Sequence, residues 1–267
     1  MTEKKVNLQL KIGVVILAGI FILMALVILF QGLSIGMDMD NRVKSSSYRY
    51  LLGTDEWGRD LLSCLIYGTG VSLFISLVVV ALSCLTGGIL GLVAGLKPGL
   101  LDSLIMRSGD IIMAFPGILL AIALAAFVQA GILNMILILS FSTWVGFARI
   151  TRSEVLKYCR EEFIQAARGY GAPFSWILFH HLWPLIRPLL CIQATQAFAG
   201  VILAESSLNF LGLGLDPSIP TLGQLIDMGM AHVFDRPQFI LGPGILLFLL
   251  IIAFNFIGEG LRQHFSR

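Results

Sequence analysis

Apolar positions along this chain come in long runs separated by short polar stretches. The runs predict helical spans at Ile12–Leu33, Val71–Leu96, Leu104–Phe127, Ile132–Ile150, Ile186–Leu211 and Phe239–Leu261. Each approaches or exceeds the roughly 20 apolar residues that carry a helix across a bilayer. The expected fold is therefore all-α: a polytopic membrane protein of six spans, with an even count that returns the C-terminus to the side of the N-terminus. The first run follows Lys4, Lys5 and Lys11. It is too long for a signal-peptide core and no Ala-x-Ala site follows it, so it reads as a retained span. The layout is an N-terminal helix over 1–34, a short extracytoplasmic segment over 35–70 and a five-helix core over 71–267.

Two interruptions of the apolar pattern carry further information. Phe115-Pro116-Gly117 falls inside the third run, where a proline removes a backbone hydrogen bond and should kink or break the helix. Glu205 falls inside the fifth. A carboxylate there either faces protein or water within the membrane, or lies shallow near the outer interface, hydrogen-bonded to Ser206 or a neighbouring helix.

The longest polar interruption is the stretch 162–184. It reads as two short amphipathic helices. Val155, Cys159, Phe163, Ala166 and Tyr170 share one face of the first; Phe174, Ile177, Leu178, Leu182 and Leu185 share one face of the second. Gly169, Gly171 and Pro173 mark the join. Such a pair fits an interfacial element lying on the membrane surface.

Composition agrees with the pattern, at 57% hydrophobic and 13% charged residues. The net charge of +2 is spread out, with no basic and aromatic patch that would point to nucleic acid. Of the 18 lysines and arginines, the six-span layout puts Arg42, Lys44, Arg49, Arg59 and Arg236 outside and the other thirteen inside. That bias predicts both termini, and the stretch 154–185, on the cytoplasmic side.

Smaller features read structurally. Gly87, Gly91 and Gly95 recur one turn apart and should allow close helix packing. Lys97-Pro98-Gly99 makes a tight turn. Arg107 and Asp110, three residues apart, can pair with each other. The short turn at Gly131 makes spans three and four neighbours. Asp55 or Asp60 can cap the helix after the acidic turn at 53–60.

Several chemistries find no support. No phosphate-cradling Gly-x-x-x-x-Gly-Lys-Ser/Thr loop is present, so this chain is not expected to hydrolyse ATP. Cys64, Cys84, Cys159 and Cys191 have neither metal-ligand spacing nor a shared level. His180 and His181 are adjacent on a helix and point to different sides; His232 is the one histidine outside. No nucleophile elbow or His-Glu-x-x-His is found. No internal repeat is evident, which disfavours an inverted-repeat carrier.

Motifs then supply a resemblance. Gln165-Ala166-Ala167, followed by Gly171 and Pro184, resembles the Glu-Ala-Ala loop of ABC-importer membrane subunits. Gln165 stands where that family usually has Glu, and Trp183 precedes Pro184 where Leu is usual. Gly53-Thr54-Asp55-Glu56-Trp57-Gly58-Arg59-Asp60 resembles a string found in dipeptide, oligopeptide and nickel permeases. So do the run 207–214, which contains Asn209, and the run 253–262. The Ala-Phe-Pro string at 114–116 recurs in that family too.

The resemblance implies the second permease subunit of a type I-like ABC importer in a bacterial inner membrane, for dipeptides or oligopeptides, with nickel or a metal chelate as the alternative cargo. It implies coupling to an ATPase through Glu162, Gln165, Ala166, Ala167, Gly171 and Pro184. Pro116, Glu205 and Asn209 stand as pathway or packing residues. The implied partners are cytoplasmic ATP-binding subunits holding ATP and Mg, a similar second permease and an extracytoplasmic binding protein. No cofactor or metal is expected in this chain. Two other classes stay open: an ion-coupled carrier using Glu205, and a structural subunit whose loop binds a partner without transmitting anything.

Overall fold

The computed structural model describes residues 2–265, without the side chains of residues 2–7 and 174–175. Expectations resting on the side chains of Lys4, Lys5 and Phe174, or on Arg267, lie outside the described residues. Helices account for nearly all regular structure: α1 Thr2–Gln31, α2 Leu61–Leu96, α3 Leu100–Met113, α4 Gly117–Ala125, α5 Ile132–Tyr158, α6 Glu162–Gly169, α7 Phe174–Ile177, α8 Trp183–Phe210, α9 Leu222–Met230 and α10 Gln238–Phe265. Among the described residues, five helices are long and apolar enough to cross a membrane; the bent pair α3–α4 makes six.

The third span is broken rather than kinked. Its halves meet at 84°, and Pro116 opens α4 in an extended backbone conformation. A proline, with no N–H to donate to a carbonyl of the preceding turn, accounts for the break.

The second span starts at Leu61, ten residues before the apolar run suggests. Asp60 caps it, accepting a hydrogen bond of 2.9 Å from the Ser63 backbone N–H. Tyr67, Gly68, Thr69 and Gly70 dilute the hydropathy there, so the run in sequence begins later than the helix.

A seam of small residues fixes α2 against α5. A Cβ on Gly87 would lie 2.3 Å from the Trp144 carbonyl, and one on Gly91 would lie 2.3 Å from that of Ala148. In lipid, where apolar surface gives little drive between helices, such backbone approach is what packs them.

The helix ends sort into two sets. Leu10 abuts Gly260, Gly13 abuts Ala253, and Gln9 bonds to Gln263. The start of α1 and the end of α10 are therefore at the same end of the bundle, and both described termini share a side. Asp102 pairs with Arg152 at that end, and Asp110 with Arg149 at 2.5 Å. The expected Arg107–Asp110 pairing is thus replaced. Asp110 finds an arginine on the neighbouring helix, a partner that spacing within one helix does not reveal.

The opposite end is built around 53–60. Gly53 and Gly58 take left-handed conformations, with φ of 84° and 73°. A Cβ on Gly58 would fall 1.7 Å from the Asp38 carbonyl oxygen, so only glycine fits. Asp55 pairs with buried Arg59 at 2.7 Å. The guanidinium also donates long hydrogen bonds to the carbonyls of Pro217 and Ser218 at 3.5 and 3.4 Å. Glu56 meets His232 at 3.1 Å. These contacts tie the segment before α2 to the loops on both sides of α9.

Candidate functional site: a docking surface and a buried polar node

The stretch 162–184 folds into two unequal parts. Glu161 precedes α6 in extended conformation. Glu162, with Glu161 ahead of it, puts negative charge near the positive end of the helix dipole. Ile164 is the fully buried residue of α6, and Ala167 packs beside it on the core. Phe163, Ala166 and Tyr170 are exposed, which reverses the face expected from their spacing. The cause is the break at 159–161: Val155 and Tyr158 belong to α5, so the register that joins Val155 to Tyr170 is not one continuous helix.

The second part is not a separate helix. From Phe174 the chain turns through one π-helical turn, Leu178–Leu182, and runs straight into α8. Pro184 has no N–H for the carbonyl of His180. The turn before it is wider, and the Trp183 N–H reaches the Leu178 carbonyl instead. Ile177 and Leu182 are buried as expected. His180 stacks on Trp176 with ring centroids 5.0 Å apart, and His181 meets the same ring edge-on at 4.9 Å.

The join is a glycine turn. Gly171 has φ of 78°, and nothing lies within 4 Å of a Cβ built on it or on Gly169. Glu162, Gln165, Ala166, Gly171 and Pro184 are all exposed, while Ala167 is half-buried. Gln165 turns back to donate to the Arg160 carbonyl at 3.0 Å. The result is a projecting ridge at the basic end of the bundle, small-residued at its crest and flanked by the exposed rings of Phe163, Tyr170 and Trp176.

The second cluster lies toward the opposite end. Glu205 has no exposed surface. Its carboxylate accepts from Ser72 of α2 at 2.8 Å, from Ser206 at 3.2 Å and from Asn209 at 2.6 Å. Burial among protein donors replaces the shallow, interfacial placement. Asn209 carries the connection onward by accepting from the Leu215 N–H at 2.8 Å. A Cβ on Gly214 would lie 2.0 Å from the Asn209 side-chain oxygen, so the loop is seated directly on this amide. Among the described residues no hydrogen bond joins Pro116 to the node, and it is exposed at the α3–α4 break.

Residues 87–267 match the family described as binding-protein-dependent transport system inner membrane component. The chain belongs to this family. The permease is 36% identical over 223 residues to the dipeptide transport system permease protein DppC of Alkalihalophilus pseudofirmus, covering 84% of this chain and 73% of the relative. It is 37% identical to the di/tripeptide transport system permease protein DppC of Pseudomonas aeruginosa, covering 80% of this chain and 71% of the relative. It is 33% identical to the glutathione transport system permease protein GsiD of Pectobacterium atrosepticum, covering 94% and 85%. Its fold is like a chain of the MetNI methionine ABC transporter in an inward-facing form, with a TM-score of 0.60 at 20% identity, covering 76% of the permease and 97% of that chain. The permease is thus a multi-pass inner-membrane subunit of an ABC importer with an all-helical, type I fold.

Proposed function

We propose that this permease carries peptides, and that ATP hydrolysis in separate cytoplasmic subunits drives it through the ridge at 162–171. The cargo reading rests on what the relatives share by name: a dipeptide, a di- or tripeptide and glutathione all present a peptide main chain. The coupling reading rests on one observation above all, the exposed small-residue crest of α6, joined by the short Gly171 turn to the helix that runs through Leu178–Leu182 into α8. A surface tied by so short a turn to a spanning helix can pass a push on it into the membrane. The basic end, where it projects, is cytoplasmic by the positive-inside rule.

In this reading ATP and Mg bind the partner ATPases, a binding protein delivers cargo at the 53–60 end, and a second permease completes the pathway. The permease itself contributes positioning: α6 docks, α8 moves, and the Glu205–Ser72 contact transmits the movement to α2.

The test is purification of the gently solubilised complex, followed by reconstitution with labelled dipeptide, the binding protein outside and ATP inside. Co-purifying ATPases and ATP-dependent uptake are expected. A chain that purifies alone and takes up cargo on a proton gradient without ATP would overturn the reading.

A further inference from the structure

Between α4, α5 and α8 lies an open cavity of about 610 Å³, walled in part by Ala121, Ser142, Thr143, Gln193 and Ser207. It shares Met113, Gly117, Ser142 and Thr143 with a cavity of about 430 Å³ at the α3–α4 break. It shares Leu203 and Ser207 with one of about 230 Å³ that reaches Phe210 and Leu211. The first and the third follow the chain of α8 from Gln193 to Leu211, a rise of about 27 Å at 1.5 Å per residue. That is close to the roughly 30 Å of a bilayer core. Gly146 faces Gln193 and Gly258 faces Thr195, while Gly260 faces Leu10. Gln193 therefore sits at the level where Lys11 and Arg262 begin the basic end.

We propose that this groove is the permease's share of the peptide pathway, and that Gln193 is its main-chain reader. The inference rests on the peptide-import reading. None of the side chains lining the three cavities is charged. Gln193 is half-buried, and its amide makes no hydrogen bond among the described residues. Gly146 admits it: a Cβ there would lie 2.9 Å from the Gln193 nitrogen. The amide can donate to a peptide carbonyl and accept from a peptide N–H. Thr143 and Ser207 donate within their own helices, to Leu139 at 2.7 Å and Leu203 at 2.8 Å. Their oxygens keep lone pairs to accept from passing N–H groups. A lining that offers main-chain partners and no charge suits cargo whose side chains vary in sign.

The experiment uses the whole reconstituted transporter and two dipeptides, Ala-Asp and Ala-Lys. A fixed charge on the wall of the groove acts on a passing one, so Gln193→Glu should lower the Ala-Asp to Ala-Lys uptake ratio about tenfold and Gln193→Lys should raise it. Gln193→Asn should keep the wild-type ratio. A ratio unmoved by both charged variants overturns the groove assignment and leaves peptide import standing. A wild-type complex that imports neither dipeptide overturns peptide import, and the assignment with it. Should the charged variants not assemble, Ser142→Cys decides the matter. Its labelling by a hydrophilic maleimide should be slowed by excess Ala-Ala during turnover. Labelling that is indifferent to the dipeptide, as expected at the control Leu133→Cys, counts against the groove.

Discussion

Asp55 and Arg59 form an ion pair of 2.7 Å from which water is shut out, with no surface of the arginine exposed. One guanidinium nitrogen of Arg59 has no partner among the described residues. The pair holds its loop together, yet it is an expensive way to do so, because each ion has lost its hydration.

Removing one partner should therefore cost more than removing both. Asp55→Ala leaves a buried guanidinium with only its long bonds to the Pro217 and Ser218 carbonyls and should destabilise the permease by about 3–5 kcal/mol. The double variant Asp55→Leu with Arg59→Met should regain most of that. Thermal unfolding in detergent measures both, and an Asp55→Ala protein as stable as the parent would remove the pair's structural role.

The glycine seam gives a prediction with an internal control. Gly91→Val places a side chain where the Ala148 carbonyl already lies, so α2 and α5 must part and little folded permease should reach the membrane. Gly88 is one turn of sequence away and faces open space. Gly88→Ala should be neutral or stabilising by up to about 1 kcal/mol. Immunoblots of membrane fractions compare the two, and equal levels would contradict the packing.

Gly171 is a different kind of glycine. It has room for a side chain but holds a left-handed turn, so Gly171→Leu should strain the join by about 1–2 kcal/mol without unfolding the bundle. The variant should reach the membrane at normal level, retain less ATPase on purification and lose peptide uptake. Full uptake would argue that the ridge does not couple.

Glu205 is predicted to work through its hydrogen bonds. Glutamine can keep them, with its oxygen toward Asn209 and its amide toward the Ser72 and Ser206 hydroxyls. Glu205→Gln should import at near wild-type rate, whereas Glu205→Ala strands Asn209 and Ser72 and should lose about 2–4 kcal/mol of stability. Loss of uptake in a well-folded Glu205→Gln complex would restore the case for an ion-coupled role.

Much of this architecture is legible in the residues. Spans, the break at Pro116 and the close glycine seam all follow from local rules, because length, a missing N–H and a missing Cβ act wherever they occur. Relations between distant segments are harder to read. Asp110 has Arg107 at helical spacing, yet Arg149 claims it. Glu205 has Ser206 beside it in sequence, and its shortest bonds go to Asn209 and Ser72. The face of α6 was inverted because a three-residue break resets helical register, and no periodicity survives such a reset. The groove along α8 had no sequence signal beyond polar residues thinly spaced on two helices.

The union of α1 with α10 bears on how the protein is made. α1 packs chiefly on α10, which follows it only after eight intervening helices, and makes only slight contact with α2. Leu10 and Gly13 have no seat until Gly260 and Ala253 exist. α1 must therefore wait in the lipid, or in the care of the insertion machinery, until α10 has been made. Assembly then includes a closing step in which a later segment recruits an earlier one. Chains cut short before α10 should leave α1 unmoored, and a quality-control protease would meet it there.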